Sequence, residues 1–309
     1  MAQLVKLSDY VSRYEIDIYR YPSRYVRLKK ERWQKIKQDW EVKKKGHSHL
    51  PQWNSYEEDE KEGTILQRSW NKLRRKIDSK SEDEINLPSE RDLDVHSIEQ
   101  LKQSYRHELF QFQLNWASST VSEISEVKRS YYYDSFLHFL VTNLPDTYFI
   151  FYEPILVMKK APVELDVIIL TPTEIWIIKP LLGDDQTIFK TETDRFWIRQ
   201  LQEKQERFLH PYLSLNRMRT VLESILQEKG LQIPIKQIVL AKDSFIDIPP
   251  KSTRVEFVDK RNFLKFHESL LKNHSPIKNV QLKIADILLA HTLTTSENRE
   301  LGESPTLEE

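Results

Sequence analysis

Residues 163–185 read VELDVIILTPTEIWIIKPLLGDD. Two carboxylates, Glu164 and Asp166, flank Leu165. An apolar run from Val167 to Leu170 follows, then a Thr171-Pro172-Thr173 turn, then a second apolar run from Ile175 to Ile178 that ends in Lys179-Pro180. Each run is too short for a helix, and both are β-branched and bounded by a proline turn, so the stretch is expected to form a buried hairpin. Side chains alternate across a strand, which places Glu164, Asp166, Ile168 and Leu170 on one face, and Ile175, Ile177 and Lys179 on one face of the partner strand. Charged residues at the ends of an apolar hairpin suit an active-site corner and suit an ordinary strand end.

Outward from the hairpin, the Tyr131-Tyr132-Tyr133 cluster with Phe136, Phe139 and Leu140 reads as a helix that should cover the sheet. Residues 186–189 and 195–198 read as short strands. Residues 211–228 form an amphipathic pattern stopped by Gly230, and residues 235–241 make another apolar strand. An edge strand near 254–258 and helices over 262–271 and 280–293 close the region. This order of elements resembles the nuclease-related domain (NERD) family of the PD-(D/E)XK, restriction-endonuclease-like superfamily, over roughly residues 122–271. The resemblance implies an α/β fold with a restriction-endonuclease-like mixed sheet flanked by helices, with residues 125–144 as its opening helix carrying the acidic Glu126 and Tyr148 to Tyr152 as its first strand.

It also implies a chemistry. The superfamily's reaction uses an acidic residue on one strand and Glu-x-Lys or Asp-x-Lys on the next; the carboxylates hold Mg²⁺ through hard oxygens and the lysine steadies the nucleophile or the developing charge. On this hairpin the first carboxylate falls on Asp166, with Glu164 two residues before it. The second carboxylate falls on Lys179, and the lysine on Leu181. The family's Asn-Pro followed by Gln becomes His210-Pro211 and Ser214. An ammonium has three donors and no acceptor, so Lys179 cannot ligate a metal. Beside Asp166 it would supply positive charge in place of the ion, giving a degenerate site of Asp166, Glu164, Lys179 and Glu126 with no cofactor. In the competing reading Lys179 is a migrated catalytic lysine, and Glu126, Glu164, Asp166 or the Asp184-Asp185 pair hold Mg²⁺ for phosphodiester hydrolysis.

N-terminal to this region, residues 1–45 read as helical, with Ser8 or Asp9 as a cap and Pro22 as a break. Aromatics interleaved with Arg27, Lys30 and Arg32 could grip a phosphate backbone, together with Arg217; the same pattern fits a helix that packs by its aromatics and solvates its charges. His47 and His49 lack a third ligand, so a solvated loop is expected there. A helix over 65–77 and a polar linker at 79–96 follow. Ser97 then caps a helix whose Leu101, Tyr105, Leu109, Phe112 and Trp116 make a buried stripe. The expected organisation is a helical N-terminal region over 1–120, an α/β domain over 121–293, and a disordered acidic tail from Thr294.

The composition limits the function classes. Lys+Arg and Asp+Glu both number 47, so net charge argues for neither nucleic acid nor a membrane. No apolar run approaches the ~20 residues of a membrane span. With no cysteine there is no thiol nucleophile, disulfide or cysteine-ligated zinc, and with 5 glycines no Gly-rich phosphate cradle. A cytoplasmic protein is expected, with DNA or another protein as partner, no membrane and no small-molecule cofactor. Three functions fit: an impaired nuclease-like module that binds nucleic acid or protein, a Mg²⁺-dependent DNA endonuclease with a rearranged site, and a partner-binding protein acting through its N-terminal helices.

Overall fold

The computed structural model describes residues 1–47, 96–159, 161–247, 254–271 and 275–298. In chain order the strands are β1 (Gln3–Leu7), β2 (Glu123–Ile124), β3 (Phe149–Tyr152), β4 (Ile155–Met158), β5 (Ala161–Glu164), β6 (Val167–Leu170), β7 (Ile175–Pro180), β8 (Thr187–Thr191), β9 (Phe196–Leu201), β10 (Lys204–Leu209), β11 (Ile235–Ala241), β12 (Phe245–Asp247), β13 (Val255–Asp259) and β14 (Glu297–Asn298). The helices are α1 (Arg13–Ile16), α2 (Tyr21–His47), α3 (Ile98–Trp116), α4 (Arg129–Tyr132), α5 (Ser135–Asn143), α6 (Pro211–Glu228), α7 (Phe263–Leu271) and α8 (Asn279–Ala290). Among the described residues no helix is long and apolar enough to cross a membrane. Two compact units emerge, one of Met1–Val26 with Phe110–Glu309 and the other of Arg27–Leu109.

The larger unit is built on a mixed six-stranded sheet in the order β1-β3-β6-β7-β11-β13. The apolar hairpin forms as expected: β6 and β7 are antiparallel at its centre, with Val167 opposite Ile178 and Leu170 opposite Ile175. Its two faces are covered separately. Ile150, Val167, Ile169, Trp176, Ile178, Ile238 and Leu240 pack with Phe136, Leu137 and Leu140 of α5 and with Phe266 and Leu270 of α7. On the opposite face α6 lies against β7 and β11 through a stripe that includes Leu215, Met218, Leu222 and Ile225. Each fully buried aliphatic side chain of this kind contributes about 1.5–3 kcal/mol.

Two sequence expectations are corrected and one is refined. Residues 3–7 are a strand, not the start of a helix; β1 runs parallel to β3, with Gln3 opposite Phe149 and Leu7 opposite Tyr152. All five of its residues are buried, which a lone amphipathic helix would not achieve. The break expected at Pro22 falls just ahead of it, between α1 and α2; Pro22 itself sits in the first turn of α2, where a residue has no intrahelical N–H partner to lose. The tail expected to be disordered is ordered in its first residues: Thr295 N–H donates to the Asp9 carbonyl at 2.7 Å, and Glu297 and Asn298 pair with β2. The expected helix at 65–77, the linker at 79–95 and His49 lie outside the described residues.

Asp134 ties α5 to the sheet. One carboxylate oxygen accepts the N–H groups of Phe136 and Leu137, both at 2.9 Å, and the other accepts the Tyr152 hydroxyl at 2.6 Å. Burial, reinforced by that carboxylate, pushes the Tyr152 phenol well above its ordinary range. Asp134→Ala removes a helix cap and leaves a buried hydroxyl without its acceptor. Urea unfolding is expected to show a loss of about 2–4 kcal/mol, part of which Tyr152→Phe restores in the Asp134→Ala background.

The smaller unit pairs part of α2 with part of α3. Trp33 packs on Tyr105 with ring centroids 5.1 Å apart, the Tyr105 hydroxyl donates to the Lys29 carbonyl, and Arg32 bonds Glu108 through Nε and Nη2, both at 2.8 Å.

Candidate functional site

The register that pairs Val167 with Ile178 sets Asp166 opposite Lys179, one step beyond the end of β6. The Lys179 ammonium lies 2.5 Å from Asp166 Oδ1. From the covering helix, the Ser214 hydroxyl donates to Asp166 Oδ2. Both carboxylate oxygens are thus engaged, one by a cation and one by a hydroxyl. The pair is partly buried, with side chains 31% and 19% exposed, so it is neither a dry core pair nor a freely solvated one.

α6 delivers Ser214 to this corner. Pro211 opens the helix, and His210 caps it by accepting the Tyr212 N–H on Nδ1 at 3.0 Å. That bond needs a neutral ring with its proton on Nε2. Burial holds the His210 pKa below its ordinary value, against the opposing pull of Asp194, and so favours the neutral form. Trp197 steadies the imidazole with a ring centroid 5.1 Å away. Beside the ion pair opens a cleft of about 550 Å³, lined by Lys179, His210, Ser214 and Arg217 with Phe208 and Leu213. Arg217 stands three residues beyond Ser214, hence on the same side of α6. The polar lining is two cations, a neutral imidazole and a hydroxyl, beside a helix N-terminus whose dipole adds positive potential.

The remaining candidates fall elsewhere. Glu164 is not on the strand that leads into Val167. The chain breaks at Leu165 and Asp166, and Glu164 ends β5, an exposed partner of Ile155 in the small β4–β5 hairpin. The break arises because Leu165 buries itself and donates its N–H to the Pro154 carbonyl at 3.0 Å, while the Asp166 carbonyl accepts from Glu153 at 2.8 Å. Glu126 is exposed in a segment without regular secondary structure, not in a helix. Its neighbour Ser125 is pinned by bonds from Val11 N–H at 2.9 Å and to the Thr295 carbonyl at 2.6 Å, which tie that segment to the chain's two ends. Asp184 accepts from the Thr187 hydroxyl at 2.7 Å and the Gln186 N–H at 3.1 Å, and so closes a turn.

Among the described residues no three His, Asp or Glu side chains converge as metal ligands. A hard divalent ion takes six or more oxygens, usually including more than one carboxylate in sites the protein builds itself. One carboxylate held by an ammonium does not fit such an ion, and no catalytic step is assigned to it.

Of the candidate nucleic-acid contacts, Lys30 and Arg217 are exposed. Arg27 is exposed beside Glu31 at 3.7 Å. Arg32 is held against Glu108 and is only partly accessible. Of the residues that meet here the sequence pointed to Asp166 and Lys179, while Ser214 stood out only as a departure from the family's pattern. The sequence did not show that His210 is a helix cap, although a polar residue directly before a proline that opens an amphipathic run is the pattern such a cap leaves.

Residues 132–241 match the family model of the nuclease-related domain (NERD). That span contains Asp166, Lys179 and Ser214 and leaves Glu126 outside. A stretch of 44 residues is 48% identical to an RNA 2',3'-cyclic phosphodiesterase of Geobacillus stearothermophilus, covering 14% of this chain and 14% of that protein's length. No solved structure matches the chain.

Proposed function

We propose that the α/β unit is a nuclease-related module with impaired cleavage that binds the phosphate backbone of a nucleic acid in the cleft beside Asp166 and Lys179. The observation that carries this reading is the Lys179–Asp166 ion pair at 2.5 Å. In the resemblance, Asp166 and Lys179 fall on the carboxylate positions that hold the family's metal, so the pair would supply a fixed positive charge in place of the ion, without Lewis acidity or an activated water. Lys179 and Arg217 supply the cations that a phosphate-binding cleft needs, and backbone contacts of this type bind without reading base sequence. The short identity to a cyclic phosphodiesterase covers too little of either chain to support that activity here.

The test combines binding and cleavage on DNA and RNA oligonucleotides. Gel-shift affinity is expected to survive in EDTA, to fall steeply with salt, and to fall at least tenfold in Arg217→Glu with a shallower salt slope. No cleavage is expected with Mg²⁺ or Mn²⁺. Metal-dependent cutting that vanishes in Asp166→Ala would overturn the impaired-site reading in favour of a rearranged endonuclease. Salt-insensitive binding, or none, would remove the nucleic-acid reading.

A further inference from the structure

The second sheet of the larger unit has the order β10-β9-β8-β12, so β10 is an edge. β9 and β10 are joined through Gln202 and Glu203, with Lys204 opposite Leu201 and Glu206 opposite Arg199. Gln202 has φ 53°, the conformation required at the first position of a tight hairpin turn. In a two-residue hairpin the closing pair exchanges both backbone hydrogen bonds, and bonded pairs then alternate along the ladder. The even-numbered residues of β10 therefore point their backbone groups at β9, a pattern that continues in the His210 N–H bond to the Arg195 carbonyl at 2.9 Å. Gln205, Arg207 and Leu209 point theirs outward. Among the described residues nothing bonds that outer edge, and residues 203–207 are exposed.

The side chains along this edge read Glu203, Lys204, Gln205, Glu206, Arg207. Read backwards, every charge in the series is replaced by its opposite. We propose that β10 pairs antiparallel with β10 of a second copy of this chain about a two-fold axis at Gln205, joining the two four-stranded sheets edge to edge. In that register Lys204 faces the Glu206 position of the other copy, Glu203 faces the Arg207 position, and the two Gln205 residues exchange backbone bonds. The two-fold requires facing residues to share a side of the sheet, so the neighbouring permitted registers are centred on residue 204 or 206. They set Lys204 against Lys204 or Glu206 against Glu206, and the next, centred on 207, sets Arg207 against Arg207. Charges on an exposed edge usually repel other strands; this series disfavours each neighbouring alignment and favours one. Arg207 is already held in place, 2.5 Å from Glu192 and with its guanidinium 4.0 Å from the Phe196 ring centre. The contact is small and polar, the kind that forms weak, reversible dimers.

Sedimentation velocity of the full chain over a concentration series tests this. The unmodified protein is expected to show a reversible monomer–dimer equilibrium. Lys204→Glu alone and Glu206→Lys alone each place like charges opposite one another and should weaken the dimer about tenfold or more, whereas the Lys204→Glu/Glu206→Lys double variant restores the pairing. Because the chain has no cysteine, Gln205→Cys should also crosslink copy to copy with a short bis-maleimide. A protein monomeric at every concentration, or single and double variants that dimerise alike, would overturn the proposal. All three positions are exposed, so circular dichroism of the variants should match that of the unmodified chain.

Discussion

Glu15→Ala is expected to destabilise the fold by about 3–5 kcal/mol, whereas Lys6→Met leaves stability unchanged or raises it. Lys6 stands in β1 with no exposed surface, and its ammonium bonds the Glu15 carboxylate, which is 21% exposed, and the Thr294 hydroxyl at 2.7 Å. Removing Glu15 leaves a buried cation with one neutral partner. Removing Lys6 leaves a carboxylate that water can reach, in a strand otherwise made for apolar packing. The asymmetry follows from which partner is dry. At about 2–4 °C per kcal/mol for a domain of this size, Glu15→Ala should melt roughly 6–20 °C lower.

The pH dependence has a definite sign. Burial lowers the Lys6 pKa below its ordinary 10.5, opposed by the attraction of Glu15 and Asp9. Between the folded and unfolded pKa the unfolded chain binds more protons, so this residue's contribution to stability rises with pH across a window that ends at 10.5 and is level below the folded value. Glu15→Ala deepens the shift and extends the window downward, so the variant should recover part of its loss at pH 9.5. Urea unfolding at pH 7 and 9.5 checks both statements, and a Glu15→Ala loss under about 0.5 kcal/mol would contradict them.

Lys6 also shows why part of the fold was hidden in the sequence. Residues 3–7 read QLVKL, and the lysine interrupts an apolar run that would otherwise have announced a buried strand. Their partner is β3, with Gln3 opposite Phe149, and a parallel pair so distant in sequence leaves no local turn signal. The hairpin of β6 and β7 was legible for the opposite reason, since its pairing is local and its proline turn marks the register. That register alone sets Asp166 against Lys179. Glu126 and Glu164 were misplaced because nearness in sequence does not fix direction. One lies in an irregular segment tied down by Ser125, and the other is diverted into the β4–β5 hairpin when the strand breaks to bury Leu165. β10 was missed because KQERFL, half of it charged and nearly all of it exposed, carries no apolar alternation.

If an amine belonging to the protein stands where the related nucleases hold a cation, then Lys179→Glu should create a divalent-ion site at that corner. The substitution sets two carboxylates opposite one another across β6 and β7, within reach of a shared ion. Without metal, the like charges repel and one carboxyl takes a raised pKa, so the variant should be modestly less stable at pH 7 than at pH 5. With Mn²⁺ at a hundred times its dissociation constant, binding linkage returns about 2.7 kcal/mol, an upward melting shift of roughly 5–10 °C. The unmodified protein should show no such shift, since the Lys179 ammonium repels the ion and occupies Asp166 Oδ1 at 2.5 Å. Adding Asp166→Asn to Lys179→Glu should abolish the response, which separates this site from non-specific binding elsewhere. Cleavage need not return with the metal. The position that the resemblance gives to the family's lysine is Leu181, which is 7% exposed, and an ammonium there would have to be buried. A Mn²⁺-dependent shift in the unmodified protein, lost in Asp166→Asn, would show that the ion pair yields to metal and that the corner is a working cation site.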